Sequence, residues 1–422
     1  MTPAEPARRG PLRLLLESLP GRFARPPWAA VVVSAIVALV LWRLWYLRTG
    51  GNWDFITYYW AAKAQAKGLD PYQLANLSQV AGHQIVLRYL YPPGVLYLLR
   101  PLTWLSLHAA IIVFLSLKVA CLVALLLVWR SCLGTRETLP LVVLAVLGFS
   151  STVFNDCFAG NVSIFEQLTL WVGFWFLLRQ RIVAFAVMVV LASVAKMTPA
   201  AFLLLLLFTT HRRRLLVLTG AAAASALSIV ASFGGSWSRL DSYFKIVLAV
   251  DERGPTNSAL LPLLKDCHDH LVRKYHVAAL LGPSELYLLV LFLLVIVTGL
   301  VLVRIFRRHG NDPAASLDYI IGAVLLYALA LPRFKDYSYV LLIPAVVVIG
   351  RRIKNALPLL ILFACLTGRN TLARYALDDF PLADLFWKYF NLIIALVLWI
   401  AFVSSAWARG RHDRQESGPA RS

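Results

Sequence analysis

Negative charge is scarce in this chain. Its 422 residues carry 21 Asp and Glu against 41 Lys and Arg, a formal net charge of +20, and charged residues of either sign make up only 15%. Soluble domains carry about 25%, so a string of water-covered domains is excluded, although the length alone would accommodate roughly three. No hydrophilic segment is long enough to bury a core of its own. Cysteine is sparse as well. Cys121, Cys132, Cys157, Cys267 and Cys365 are scattered, odd in number and without a CxxC pair, which argues against a disulfide scaffold or a zinc ribbon. Three of them lie in or beside apolar runs, where thiols pack as small hydrophobes; a Cys157–Cys267 disulfide is the one pairing left open. "DCHDH" at 266–270 fits no standard zinc spacing and reads as a solvated loop, so no metal site is expected. Walker A, GxGxxG, HExxH and GxSxG signatures are missing, and with them the usual routes to a nucleotide site or a soluble hydrolase. No cofactor is implied.

What the chain has instead is apolar length: 60% of it is hydrophobic and the mean hydropathy is +0.72. A span needs about 20 apolar residues. On that rule the sequence predicts spans near 27–47, 105–129, 139–156, 162–178, 181–196, 198–210, 215–233, 278–303, 317–332, 337–350, 355–368 and 386–407. The expected fold is therefore an all-α polytopic membrane protein of about twelve helices. It divides into a basic arm at 1–26, one transmembrane domain over 27–407 and a tail at 408–422. "PLRLLLESL" in the arm has the makings of a short interfacial helix. The run 94–104, after Pro92-Pro93, is too short to span and reads as a re-entrant or interfacial helix.

The basic excess invites a nucleic-acid partner, but its distribution excludes one. Arg130 and Arg136, Arg179 and Arg181, "HRRR" at 211–214, Arg304 to Arg308, Arg351 to Lys354 and Arg409 to Arg414 fall on alternate connections. That is the bias of cytoplasmic loops. It places both termini in the cytoplasm, in a multi-pass protein expected in the cell inner (plasma) membrane. The complementary, extracytoplasmic connections hold the two longest polar segments, 48–93 and 234–277. They also hold "FNDCFAGNVS" at 154–163, "KMTP" at 196–199 and "LPRFKDYSY" at 331–339.

Several polar residues on that outer side sit at predicted helix ends, where ionisable groups are functional candidates. Asp54 stands alone among Trp53, Phe55, Tyr58 and Tyr59. Partial desolvation would raise its basicity and suit a general base; taken alone, an N-cap for a helix starting near Phe55 is the plainer reading, and one residue can do both. Lys196, three residues before Pro199, holds a phosphate or snorkels to headgroups. Arg333, Lys335, Asp336 and Tyr337 put positive charge on an outside connection, against the inside bias. Anionic headgroups would explain it; convergence with Asp54 and Lys196 on one face favours a phosphate-bearing substrate. Without a cytoplasmic nucleotide motif, such a substrate would be presented from the membrane.

"DFITYYWAAKAQAKGLDPY" from Asp54, "YLYPPGVLYLLRPL" at 89–102, "GNVS" at 160–163 and "KMTP" at 196–199 together resemble glycosyltransferase family 87. The resemblance runs in order from about 50 to 345. It implies the GT-C fold and the activity of polyprenyl-phosphate-mannose-dependent mannosyltransferases. It places the family's catalytic base on Asp54, its Tyr-Pro-Pro element on Tyr91, Pro92 and Pro93 and its lysine-to-proline element on Lys196 and Pro199. The chemistry of such a transfer makes Lys196, Arg333 and Lys335 the candidates for the donor phosphate, and Tyr58, Tyr59, Tyr91, Asn161, Asp336 and Tyr337 are expected to contact substrate. Two departures bear on acceptor and sugar: Gly160-Asn161-Val162-Ser163 replaces the family's Gly-Gln-x-Asn, and Asp336-Tyr337 stands where a histidine often follows the late proline. The expected partners are a polyprenyl-phosphate sugar donor, a glycolipid or glycan acceptor and membrane lipids. A transporter or flippase of lipid-linked sugars is the alternative from another class, and a scaffold subunit of a glycan-assembly complex a third.

Overall fold

The computed structural model describes residues 51–134, 138–234, 237–254, 256–275, 281–310, 312–353, 356–365 and 381–416. The predicted arm at 1–26, the first predicted span at 27–47 and the end of the tail lie outside them. Among the described residues the chain is all helical, with a single isolated bridge between Gly254 and Asn257 and no strand.

Three short helices open the described chain: α1 (Trp53–Ala66), α2 (Leu74–Ala81) and α3 (Gly94–Leu99), the last continuing as a 3-10 turn over Arg100–Trp104. The bundle follows as α4 (Leu107–Leu133), α5 (Thr138–Ala159), α6 (Ser163–Leu178), α7 (Ile182–Ala195), a 3-10 segment at Thr198–Phe208, and α8 (Arg214–Ser232). Two amphipathic helices, α9 (Trp237–Ala249) and α10 (Leu260–Tyr275), interrupt it. Then come α11 (Pro283–His309), α12 (Pro313–Ala330), a 3-10 segment at Asp336–Leu342, α13 (Ile343–Arg352), α14 (Ala356–Cys365), α15 (Pro381–Lys388) and α16 (Phe390–Glu416).

The twelve-span expectation is met in part. Among the described residues five helices are long and apolar enough to cross a membrane: α4, α5, α8, α11 and Phe390–Ala408 of α16. Five other apolar segments are shorter: α6, α7, Thr198–Phe208, Ala315–Ala330 and α14. The predicted span 337–350 is not one helix but the 3-10 segment joined to α13. Hydropathy reports apolar length and is blind to where the backbone changes its winding. Nor is α5 continuous: Gly148 is extended, and Phe149, Ser150 and Ser151 are left-handed in mid-sequence. Asn155 Nδ2 donates to the Ser150 carbonyl there, and Phe149 stacks on Tyr339 at 5.8 Å. On the flank formed by α7 and Thr198–Phe208, Val183, Val187, Leu191, Leu204 and Leu207 are exposed, the signature of a lipid-facing surface.

Helices α1–α3 form a cap with its own aromatic core. Phe55 of α1 stacks on Phe114 of α4 at 4.4 Å, and the Asx turn of Asp70 onto the Tyr72 amide (3.0 Å) closes α1 before α2. The cap meets the bundle at the α5–α6 turn, where the Asn52 amide donates to the Phe158 carbonyl at 2.6 Å. Gly160 makes that approach possible. Its φ is +69°, and a Cβ would lie 2.8 Å from the Phe55 Cβ and 3.2 Å from the Asn52 Cα. Gly68 has φ +75° but open space around it. Gly160→Ala combines backbone strain with a clash and is expected to cost about 2–3 kcal/mol, against about 1 kcal/mol for Gly68→Ala. Thermal unfolding of the two variants beside wild type checks the order.

Candidate active site

The connections 48–93, 196–199, 234–277 and 331–339 do converge. A cavity of about 530 Å³ at one end of the bundle is lined by Asp54, Tyr58, Tyr91, Lys196, Arg333, Lys335 and Tyr337, with an apolar wall that includes Val86, Leu87, Phe244 and Val247. Seven of the ten residues singled out from sequence therefore share one space.

Asp54 lies inside the first turn of α1, which starts at Trp53, and is not its N-cap; that position belongs to Asn52, in left-handed conformation and without a side-chain cap bond. The carboxylate still gains from the positive helix end. Its direct partner is Asn161, whose Nδ2 donates to Asp54 Oδ2 at 2.6 Å. The same nitrogen is 2.9 Å from the Tyr58 hydroxyl and 2.8 Å from the Tyr91 hydroxyl. An amide has two hydrogens for these three neighbours. The count closes because Tyr91 donates back to Asn161 Oδ1 (3.2 Å), which also accepts from the Ser163 amide (3.1 Å) and hydroxyl (2.9 Å). Asn161 is wholly buried and sits behind the cavity wall rather than on it.

Aromatic packing fixes the tyrosines. Tyr58 meets Tyr89 and Tyr91 edge-on at 5.9 and 5.2 Å. Tyr89 donates to the Pro92 carbonyl (2.7 Å), and Tyr72 to that of Tyr91 (3.0 Å). Asp54 is crowded by protein atoms yet open to the cavity on one side. Burial raises its carboxyl above the ordinary carboxylate range, while Lys335, the Asn161 hydrogen bond and Lys118 pull it back.

Two of the expected contact residues lie off the cavity. Tyr59 points to the far side of α1 and donates to the Leu105 carbonyl at 2.8 Å. A helix turns side chains about 100° per residue; Thr57 and Tyr58 line the cavity, and the next step carries Tyr59 off it. Asp336 is buried away from the cavity and accepts from the Ser258 hydroxyl at 2.6 Å; its neighbour Tyr337 faces in. Cys157 and Cys267 are free thiols. The 266–270 cluster is an ion-pair node, Arg253 binding Asp266 (3.3 Å), Asp269 (2.8 Å) and Asp251 (2.8 Å). Among the described residues no group of three or more His, Cys, Asp or Glu is placed to hold a metal ion.

Sequence reasoning missed the acidic partners of the cavity cations. Glu166, 2% exposed, binds Lys196 at 3.1 Å. Glu252, also on the cavity wall, accepts from Arg333 (2.9 and 3.1 Å) and Lys335 (3.0 Å). Beneath Asn161 lies an unforeseen ion pair, Lys118 Nζ to Asp156 Oδ2 at 2.6 Å, both wholly buried. A lysine in an apolar run was the available signal for it.

The raised carboxyl of Asp54 gives a pH signature. Because the folded state binds this proton more tightly than the unfolded chain, the group adds stability as pH falls and withdraws it as pH rises through the raised value. Asp54→Asn removes the buried charge and keeps an acceptor for Asn161. The variant is expected to unfold no lower than wild type at neutral pH, with its advantage shrinking toward about pH 4, as thermal midpoints across pH would record.

Comparison with curated protein sequences finds no match. The sequence profile of glycosyltransferase family 87 matches residues 89–332, more than half of the chain. Tyr91, Asn161, Lys196 and Glu252 fall within the match, and Asp54, Lys335 and Tyr337 outside it. With a helical membrane bundle and this match together, the chain belongs to glycosyltransferase family 87.

Proposed function

We propose that this membrane glycosyltransferase moves a hexose, mannose by the family resemblance, from a polyprenyl-phosphate sugar to a hydroxyl of a glycolipid or glycan acceptor. The observation that carries this reading is the shared cavity of Asp54, Lys196, Arg333 and Lys335. Sugar transfer from a lipid phosphate needs a base for the acceptor proton and cations for the departing phosphate. The acceptor oxygen attacks the anomeric carbon as its proton passes to Asp54. The bond from that carbon to the phosphate oxygen breaks, its electron pair leaving on the lipid phosphate, and attack from the opposite face inverts the centre. Asn161 holds one carboxylate oxygen, which leaves the other for the proton. Tyr58, Tyr91 and Tyr337 shape the sugar side. The apolar wall suits a lipid-borne donor.

In this reading the cavity end is extracytoplasmic. The helix ends bearing Arg179 and Arg307 to His309 are cytoplasmic, as the positive-inside bias requires. The domain is one GT-C bundle over 27–407 with about twelve spans in the plasma (inner) membrane, and both termini are inside. The chemistry described calls on no cofactor and no metal.

The test is transfer of radiolabelled mannose from polyprenyl-phosphate-mannose to a membrane-lipid extract by purified protein in liposomes. Wild type is expected to transfer; Asp54→Asn, folded by thermal unfolding, is expected to lose at least about 100-fold in rate. Undiminished transfer by the variant would remove Asp54 from the chemistry. Movement of the donor across the bilayer without transfer would favour a flippase.

A further inference from the structure

The candidate phosphate cations do not face the cavity as bare charge. Glu252 lies in the linker between α9 and α10 and spans both of its partners, Oε2 with Arg333 and Oε1 with Lys335. All three side chains keep about a quarter of their surface open (24, 26 and 22%). The linker is tied to the strip it neutralises. Asn257 Nδ2 donates to the carbonyls of Glu252 (3.2 Å) and Pro332 (3.3 Å), and its Oδ1 accepts from the Phe334 amide (2.9 Å). The carboxylate is thus built into the site rather than swept across it. Around the cavity Arg88, Lys196, Arg333 and Lys335 stand against Asp54, Glu252 and, behind Lys196, Glu166, four cations to three carboxylates, which leaves one net positive charge.

We propose that Glu252 is a specificity-determining residue that sets the anionic charge this cavity accepts, favouring a phosphodiester with one negative charge over a phosphomonoester with two. The inference rests on the donor-phosphate reading above and deepens it. In that reading the sugar donor is a phosphodiester and the released lipid phosphate is a monoester, doubly charged above its second pKa of about 6. A diester shares Arg333 and Lys335 with Glu252 and leaves the site neutral. A monoester's second negative charge finds no uncompensated cation left, meets the carboxylate, and must be stripped of water beside an apolar wall, which costs more than for a singly charged diester. Substrate is retained and product expelled by the same side chain.

Two soluble probes of the full-length protein in non-ionic detergent separate the charge states: decyl phosphate, a monoester, and methyl decyl phosphate, a diester, titrated calorimetrically at pH 8. Wild type is expected to prefer the diester. In Glu252→Gln the ratio of monoester to diester Kd falls by about tenfold or more, mainly through tighter monoester binding, while Glu252→Asp, which keeps the charge, stays near the wild-type ratio. Lowering the pH below about 6 tightens the monoester on wild type more than on Glu252→Gln. A ratio unchanged in Glu252→Gln, with both probes still bound and Arg333→Met weakening them, overturns the role of Glu252 and spares the phosphate site. No binding by wild type, or binding indifferent to Arg333→Met, overturns the phosphate site and this inference with it.

Discussion

A buried ammonium–carboxylate pair carries the floor of the cavity. Lys118, reaching across from α4, binds the Asp156 carboxylate and also donates to the backbone carbonyls of Asp156 (2.5 Å) and Asn161 (2.7 Å). One side chain therefore pins both sides of the α5–α6 turn. Losing either partner of such a pair strands a charge in apolar surroundings, at a cost of about 3–5 kcal/mol. Everything above the turn inherits its position. Gly160 admits the backbone of α1, Asn161 aims its amide at Asp54, and Tyr58 and Tyr91 close around that amide. The carboxylate that faces the cavity is oriented by a lysine it never touches.

Charge is conserved locally throughout this region. Glu166 answers Lys196, Glu252 answers Arg333 and Lys335, and Asp251, Asp266 and Asp269 gather around Arg253. Sparse acids in a basic chain are thus concentrated where cations have been drawn out of water, since an unpaired ion in such a place is costly. Of the other basic residues, Arg88 is also on the cavity wall, and Arg130, Arg179 and Arg307 to His309 lie at helix ends. The arrangement keeps the cavity folded and closed to stray charge while leaving its cations in reach of an anion.

How much of this was legible in the sequence depended on contrast. Asp54 and Lys196 stand out as charges among apolar or uncharged neighbours, Arg333 and Lys335 as positive charge on a connection expected outside, and the cavity brings all four together. Glu252 had no such contrast within the polar stretch 234–277, and Lys118 was averaged away inside a long apolar run. Tyr59 and Asp336 lie off the cavity for a different reason. Each sits one residue from a cavity residue, and facing is decided by helical phase: for Asp336 by a 3-10 segment whose three-residue turn no apolar pattern announces. The all-helical architecture was plain from composition. The helix count was not, because short segments can be completed by ordered backbone within a bundle.

One flank has a consequence for the surrounding lipid. The 14 residues of α7 and the 11 of Thr198–Phe208 rise roughly 21 Å and 22 Å at 1.5 and 2.0 Å per residue, against a hydrocarbon core of about 30 Å. Their outward side chains are apolar, and a segment shorter than the hydrocarbon core is accommodated by a thinned bilayer, by snorkelling end residues or by a neighbouring surface. Lys196 ends α7 and lines the cavity. Lys196 therefore joins the short flank to the cavity, and in the proposed reading this is the side on which a lipid-borne donor has the least apolar protein to pass.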